Sequence, residues 1–132
     1  GSVRGDPVAT DGQPERDGVV KWSIEELNAL RAQGEPVFVD VTADWCITCL
    51  ANEQAVLFTD EMTAAFATAG VTYMVADWTN YDPLIGEFVR THGRNGIPLY
   101  VLYSGTPSVA PLLLPQLLTT NMMLEALESV KR

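Results

Sequence analysis

One stretch constrains this chain more than any other: a run of buried-strand character that ends in two cysteines. Val37-Phe-Val-Asp-Val-Thr42 is apolar and β-branched with a single acid inside it, and Ala43-Asp-Trp-Cys-Ile-Thr-Cys49 follows without a break. The first part reads as an interior strand, and helical character begins at Cys46. Cysteines three apart at a helix start lie about one turn from each other, close enough to cycle between dithiol and disulfide. The first of them sits where unpaired backbone N–H groups and the positive end of the helix dipole stabilise a thiolate. Thiol–disulfide exchange needs that arrangement, because the thiolate attacks and a neighbouring thiol must resolve the mixed disulfide.

Other uses of a cysteine pair fit less well. Zinc normally takes four ligands, and beyond two Cys the sequence offers one histidine, His92, so no metal is expected. A disulfide across so short a gap closes a loop too small to restrain much unfolded-chain entropy, which makes it a poor staple. Strand followed by C-x-x-C therefore points to redox chemistry.

The 132 residues suffice for one domain with its own core. No apolar run approaches the roughly 20 residues needed to cross a bilayer. A formal net charge of −9 argues against nucleic acid and anionic membrane surfaces as partners. Gly1-Ser2 reads as a cloning scar, and residues 3–18, rich in Gly, Pro and charge, as a flexible linker. The expectation is a domain over 19–132 that belongs to a longer protein.

Along the chain, Ser23-Ile-Glu-Glu26 has capping-box spacing and predicts a helix with Ile24, Leu27 and Leu30 on one face, ending at Gly34. A strand over 37–42 follows. The helix from Cys46 is expected to reach Leu57, with Leu50, Val56 and Leu57 among its apolar positions. Thr59-Asp-Glu starts another helix, with Met62, Ala65 and Phe66 inward and Gly70 at its end. Residues 71–77 alternate as a strand. Asp82-Pro83 caps a helix that runs to about His92, and Leu99–Tyr103 is a strand. Val109–Leu114 is predicted to return antiparallel to it, before a last helix over 121–130. This α, β, α, α, β, α, β, β, α order predicts an α/β fold with a mixed central sheet and helices on both faces.

That order, with Trp45-Cys-Ile-Thr-Cys49 after the first core strand and Gly96-Ile-Pro98 before the third, resembles the thioredoxin fold over residues ~20–132. Ala43-Asp-Trp-Cys-Ile-Thr-Cys49, Glu53, Gly96-Ile-Pro-Leu-Tyr100 and Leu114-Pro-Gln-Leu-Leu-Thr119 are similar to one subfamily, the C-terminal periplasmic (gamma) domains of DsbD/ScsB transmembrane thiol–disulfide reductants. The resemblance implies a periplasmic domain of an inner-membrane protein. Its electron donor would be the transmembrane domain of the same polypeptide, and its acceptor a periplasmic thioredoxin-like protein or domain. No cofactor is implied. Two positions depart from the wider superfamily: Leu50 stands where a lysine is usual, and Gln54 where thioredoxins proper carry a helix-kinking proline.

Cys46 is expected to be the nucleophile and Cys49 the buried resolving thiol. Asp40 matches the buried acid that the resemblance assigns to proton transfer at the resolving cysteine; the alternative is a satisfied strand-end carboxylate. Glu53 matches an acid that tunes the thiol, with a merely solvated helix glutamate as the other reading. Pro98 matches the cis-proline loop facing the cysteines. Trp45 either shields the disulfide and meets partners or simply packs. Trp78 and Tyr81 either line a partner surface or, the favoured reading, pack in the core, and His92 is given no chemistry. Against the reductant stand an oxidase or isomerase of the same fold and a non-catalytic interaction module. Ile47-Thr48 lacks the histidine that strongly oxidising relatives carry between their cysteines, which favours the reductant.

Overall fold

The computed structural model describes residues 18–131; the proposed scar and all of the proposed linker but Gly18 lie outside the described residues. The strands are β1 (Val19–Lys21), β2 (Val37–Thr42), β3 (Thr72–Asp77), β4 (Leu99–Tyr103) and β5 (Leu112–Leu114). The helices are α1 (Ile24–Ala32), α2 (Ile47–Asn52), α3 (Asp60–Ala69), α4 (Pro83–Thr91) and α5 (Thr120–Val130). The sheet has the order β1-β3-β2-β4-β5. Strands β1, β3 and β2 are parallel, whereas β4 and β5 each run antiparallel to the preceding neighbour. This is the expected mixed sheet.

Caps set most of the helix starts. Ser23, Thr59, Asp82 and Thr119 each accept a backbone N–H of the first turn through the side chain, the exchange that makes these residue types good N-caps. Gly70 ends α3 at φ 72°, a left-handed conformation that costs glycine little.

Three departures from the sequence expectation have physical causes. Strand β1 was not expected: three residues beside Gly18 carry little local signal, and their strand state comes from pairing with Tyr73–Val75 at the sheet edge. Strand β5 covers only the end of the expected Val109–Leu114 run, because Pro111 and Pro115, which lack an N–H donor, bracket it. The helix from Cys46 changes character at Glu53, where Glu53–Leu57 form a π-helical turn closed by the Phe58 N–H donating to the Glu53 carbonyl at 2.8 Å.

All six residues of β2 are buried, and they alternate between two cores. Val37, Val39 and Val41 pack with Leu27 and Leu30 of α1 and with Ile85, Phe88 and Val89 of α4. Phe38 packs on the other side with Val56, Leu57, Met62, Phe66 and Met123. Phe38 lies 5.8 Å from the Tyr100 ring, nearly parallel to it, and 5.2 Å from that of Tyr73. It thus props two tyrosines whose hydroxyls enter the site described below. Phe38→Ala is expected to cost about 3–5 kcal/mol, as for other buried aromatic truncations. Urea unfolding checks this, and a loss below about 1 kcal/mol would mean that the aromatic cluster closes over the gap.

Candidate active site

Strand β2 delivers the cysteines. Its last residue, Thr42, is followed by buried Ala43 and an exposed turn at Asp44 and Trp45, and Cys46 then takes the N-cap position of α2 with extended backbone, φ −94° and ψ 100°. The Cys49 backbone N–H donates to Cys46 Sγ at 3.2 Å, so a donor that a helix start leaves free is aimed at that sulfur. The two cysteines form a disulfide with Cα atoms 5.2 Å apart. Cys46 is 7% exposed and Cys49 is fully buried. Together with Ala43 they make a small cluster against which Ile97 packs. The Ile97–Pro98 peptide bond is cis, and Pro98 is buried.

Beneath the pair, the inward face of the helical run carries Cys49, Asn52, Glu53, Val56 and Leu57, all buried, the i, i+3, i+4, i+7, i+8 spacing of a single face. Of the apolar positions named for this run, Val56 and Leu57 lie on this face, whereas Leu50 lies off it and is 40% exposed, because Asn52 and Glu53 hold the inward places at that height. Glu53 is 5% exposed, and its Oε2 accepts the Thr42 hydroxyl at 2.7 Å. It is therefore not a solvated helix glutamate.

Asp40 lies between Phe38 and Thr42 on the strand, so period-two alternation turns it to the same face of the sheet. It is fully buried, and its Oδ2 accepts the Tyr73 hydroxyl at 2.6 Å. Burial, the Asp40 charge and this hydrogen bond, and the Glu53 charge all push the Tyr73 phenol well above its ordinary pKa. Burial and the Asp40 charge raise Tyr100 as well, against a hydrogen bond from Asn52 that opposes the shift. Both acids act on both tyrosines, so the four groups form one electrostatic unit.

The turn at Trp45 is pinned from the β3–α4 connection. The Trp45 Nε1–H donates to the Thr79 carbonyl and the Asp44 N–H to Thr79 Oγ1, each at 3.0 Å. Trp45, 44% exposed, stacks on Tyr81 with ring centroids 5.3 Å apart and planes 15° from parallel. Trp78 meets Tyr81 edge-on at 5.4 Å. The expectation that Trp78 and Tyr81 belong to the core is corrected accordingly. Tyr81 is 61% exposed with φ 58°, and Trp78 is only partly buried against the α1–α4 core. Apolar side chains thus collect around the cysteines, with Ile47 82% exposed beside them. His92 lies at the end of α4, where its Nδ1 is 2.9 Å from the Phe88 carbonyl oxygen.

Sequence reading did not single out Thr42, Asn52, Tyr73 or Tyr100. Two of them left a signal: Thr42 is two residues from Asp40 on the same strand, and Asn52 is three from Cys49 on the same helix.

The thioredoxin-like family profile matches residues 19–105, and the chain belongs to that family. Among curated proteins the chain matches the thiol:disulfide interchange protein DsbD of Ralstonia nicotianae, 29% identical over 112 residues. That match covers 80% of this chain and 18% of the relative, so the chain spans less than a fifth of that protein's length. The DsbD C-terminal domain of Neisseria meningitidis superposes in its reduced form with a TM-score of 0.65 at 19% identity, covering 85% of this chain and all of that one. Its oxidised form gives 0.61 at 24%, covering 79% and 88%. A thioredoxin from Thermus thermophilus gives 0.65 at 19%, covering 86% and 87%. The solved structures establish the shared fold. The disulfide that Cys46 and Cys49 close and the DsbD match support a thiol–disulfide redox role.

The raised phenols have a consequence at high pH. A phenol whose folded pKa lies above the unfolded value of ~10 contributes stability that is complete below about pH 10 and is lost as pH rises through the folded value. Tyr103, raised to about 12 mainly by burial, adds to the effect. Urea midpoints are expected to fall between pH 10 and pH 12, and less steeply in Tyr73→Phe than in the wild type. Equal slopes would mean that Tyr73 ionises as freely in the fold as out of it.

Proposed function

We propose that this chain is the reducing domain of a thiol–disulfide relay. It takes electrons from a membrane-embedded domain of the same polypeptide and passes them to a periplasmic disulfide acceptor, itself a thioredoxin-like protein or domain. The observation that carries the reading is the asymmetry of the pair: Cys46 sits at the helix start with a backbone N–H on its sulfur, and Cys49 is fully buried one turn behind. The DsbD match supports a thiol–disulfide role, and the relay, its donor and the periplasmic setting are proposed from the resemblance to the DsbD/ScsB gamma domains.

In the reduced state the Cys46 thiolate attacks the acceptor disulfide, forming a mixed disulfide and releasing one acceptor thiolate. Cys49 then gives up its proton and attacks Cys46 Sγ. The Cys46–Cys49 disulfide forms, the second acceptor thiolate leaves, and two electrons have passed. Asp40, on the buried side of the helix, is assigned the proton of Cys49. Glu53, tied to Thr42, tunes the thiols by its charge. Trp45 covers the pair from the exposed side, and Pro98 flanks it through Ile97.

The reducing direction rests on charge. A stabilised thiolate makes a strong oxidant because it stabilises the reduced form. Here Ile47 and Thr48 bring no cation between the cysteines, Leu50 brings none after them, and both acids lie on the buried side. When ionised, the acids disfavour a thiolate and shift the balance toward disulfide.

Cys49→Ala is expected to trap a mixed disulfide with an acceptor, whereas Cys46→Ala traps none; non-reducing gels after acid quench read this out. Equal trapping by the two variants would sink the order of attack. Glutathione titration of the purified domain is expected to give a potential near −200 mV or lower, and a value near the ~−120 mV of a strong oxidant would reverse the direction.

A further inference from the structure

We propose that Asn52 and Gln116 are positioning residues that hold the redox helix and the Pro98 loop at a fixed separation, an inference that rests on the thiol–disulfide reading. Asn52 lies three residues beyond Cys49 on α2 and is 5% exposed. Its side chain is used on both sides of the amide. Nδ2 donates to the Tyr100 hydroxyl at 2.9 Å and to the Gln116 carbonyl at 2.7 Å, and Oδ1 accepts the Leu118 N–H at 3.2 Å. One side chain thus joins the redox helix to β4 and to the segment between β5 and α5. That segment in turn reaches the cis-peptide loop, where Gln116 Nε2 donates to the Pro98 carbonyl at 3.2 Å. Ile97, just before Pro98, packs back on Cys46 and Cys49. The contacts close a ring: Cys49, Asn52, Gln116, Pro98, Ile97 and the cysteines again.

The chemistry of the ring is specific to the side chains in it. Two acceptors, the Tyr100 oxygen and the Gln116 carbonyl, face Nδ2, and a donor faces Oδ1, so the site needs two hydrogens and an acceptor from one planar group. Leucine fills the volume with neither, and an ionised aspartate has no hydrogen to give. A polypeptide joined to Cys46 through a mixed disulfide must pass over what flanks that sulfur, and Ile97 is one flank. The spacing between α2 and the Pro98 loop therefore sets how such a chain lies during attack, and small errors in approach geometry are costly to rate. A small disulfide, which touches the sulfur alone, is indifferent to that spacing.

The test uses the full chain, reduced, in the Cys49→Ala background, with two activated disulfides. One is 2,2′-dithiodipyridine; the other is an extended peptide whose single cysteine carries a thiopyridyl group. In both reactions the Cys46 thiolate breaks the probe's S–S bond, forms a new disulfide and releases pyridine-2-thione, whose absorbance is followed. Gln116→Met keeps length and removes the donor at an exposed position, so it does not put the fold at risk. It is expected to slow the peptide reaction about three- to tenfold, the worth of one neutral hydrogen bond, and the small-probe reaction by less than about twofold. Asn52→Leu is expected to do at least as much, and the double variant no more than Asn52→Leu alone, since both act through one ring. Peptide rates unchanged in Gln116→Met, equal slowing of both probes, or effects that multiply would each overturn the inference. Failure of Cys46 in the background protein to react with either probe would instead overturn the thiol–disulfide reading itself.

Discussion

Two carboxylates buried under one helix are the constraint around which this structure is arranged. Removing an ionised group from water costs several kcal/mol even after the protein relaxes, and Asp40 and Glu53 sit within one sheet–helix layer with almost no solvent contact. Such groups persist when hydrogen bonds meet them. Tyr73 supplies one to Asp40, and Thr42 supplies one to Glu53. Each donor comes from the sheet, so the strand register that sets β2 against β3 and β4 is also what seats the acids. Asp40 is opposite Tyr100 across the antiparallel ladder and opposite Val75 in the parallel one, which leaves Tyr73 two residues away on the same face and able to reach it.

The remaining polar groups follow from that placement. The helix face above Thr42 and Tyr100 is polar to match them: Glu53 accepts the Thr42 hydroxyl and Asn52 donates to the Tyr100 oxygen, between Cys49 and Val56. Aromatic packing closes the layer from below. Phe38 touches Phe66, Tyr73 and Tyr100, and each tyrosine then offers an apolar ring to the core and a hydroxyl to the network. The opposite face of the sheet, packed on α1 and α4, carries valines at the alternate positions of β2 and, among the described residues, no buried acid. One strand thus serves a dry core on one side and the redox layer on the other.

How much of this the sequence disclosed depended on whether the cause was local. Ser23, Thr59 and Asp82-Pro83 act within one helical turn, and the starts they mark were readable. The C-x-x-C pair and the strand before it were readable for the same reason. Strand β1 was not, since three residues become a strand only through the neighbour they pair with. The site divided along the same line. Cys46, Cys49 and Pro98 carry motifs. Asn52 carries none, and its hydrogen bond to Tyr100, 48 residues away, has no local signal. Hydrophobicity alone does not pick out the inward face of the helical run, where buried Asn52 and Glu53 meet Tyr100 and Thr42 while apolar Leu50 is 40% exposed.

The pair therefore sits between two unlike environments. On its outward side lie Trp45, Ile47 and Leu50, exposed and uncharged, and on its inward side lie carboxylates held by tyrosine and threonine. In open solvent, water beside Cys46 screens those charges. Under the proposed function, a partner that covers Trp45 and Ile47 excludes that water, and the interaction between carboxylate and sulfur strengthens as the local dielectric falls. The inward acids then oppose negative charge on the cysteines most strongly when an acceptor is docked, the moment at which electrons must leave. Under that proposal apolar surface and buried acid, which look like separate features of the sequence, bear on the same step: one governs when water leaves, and the other biases which way the electrons then move.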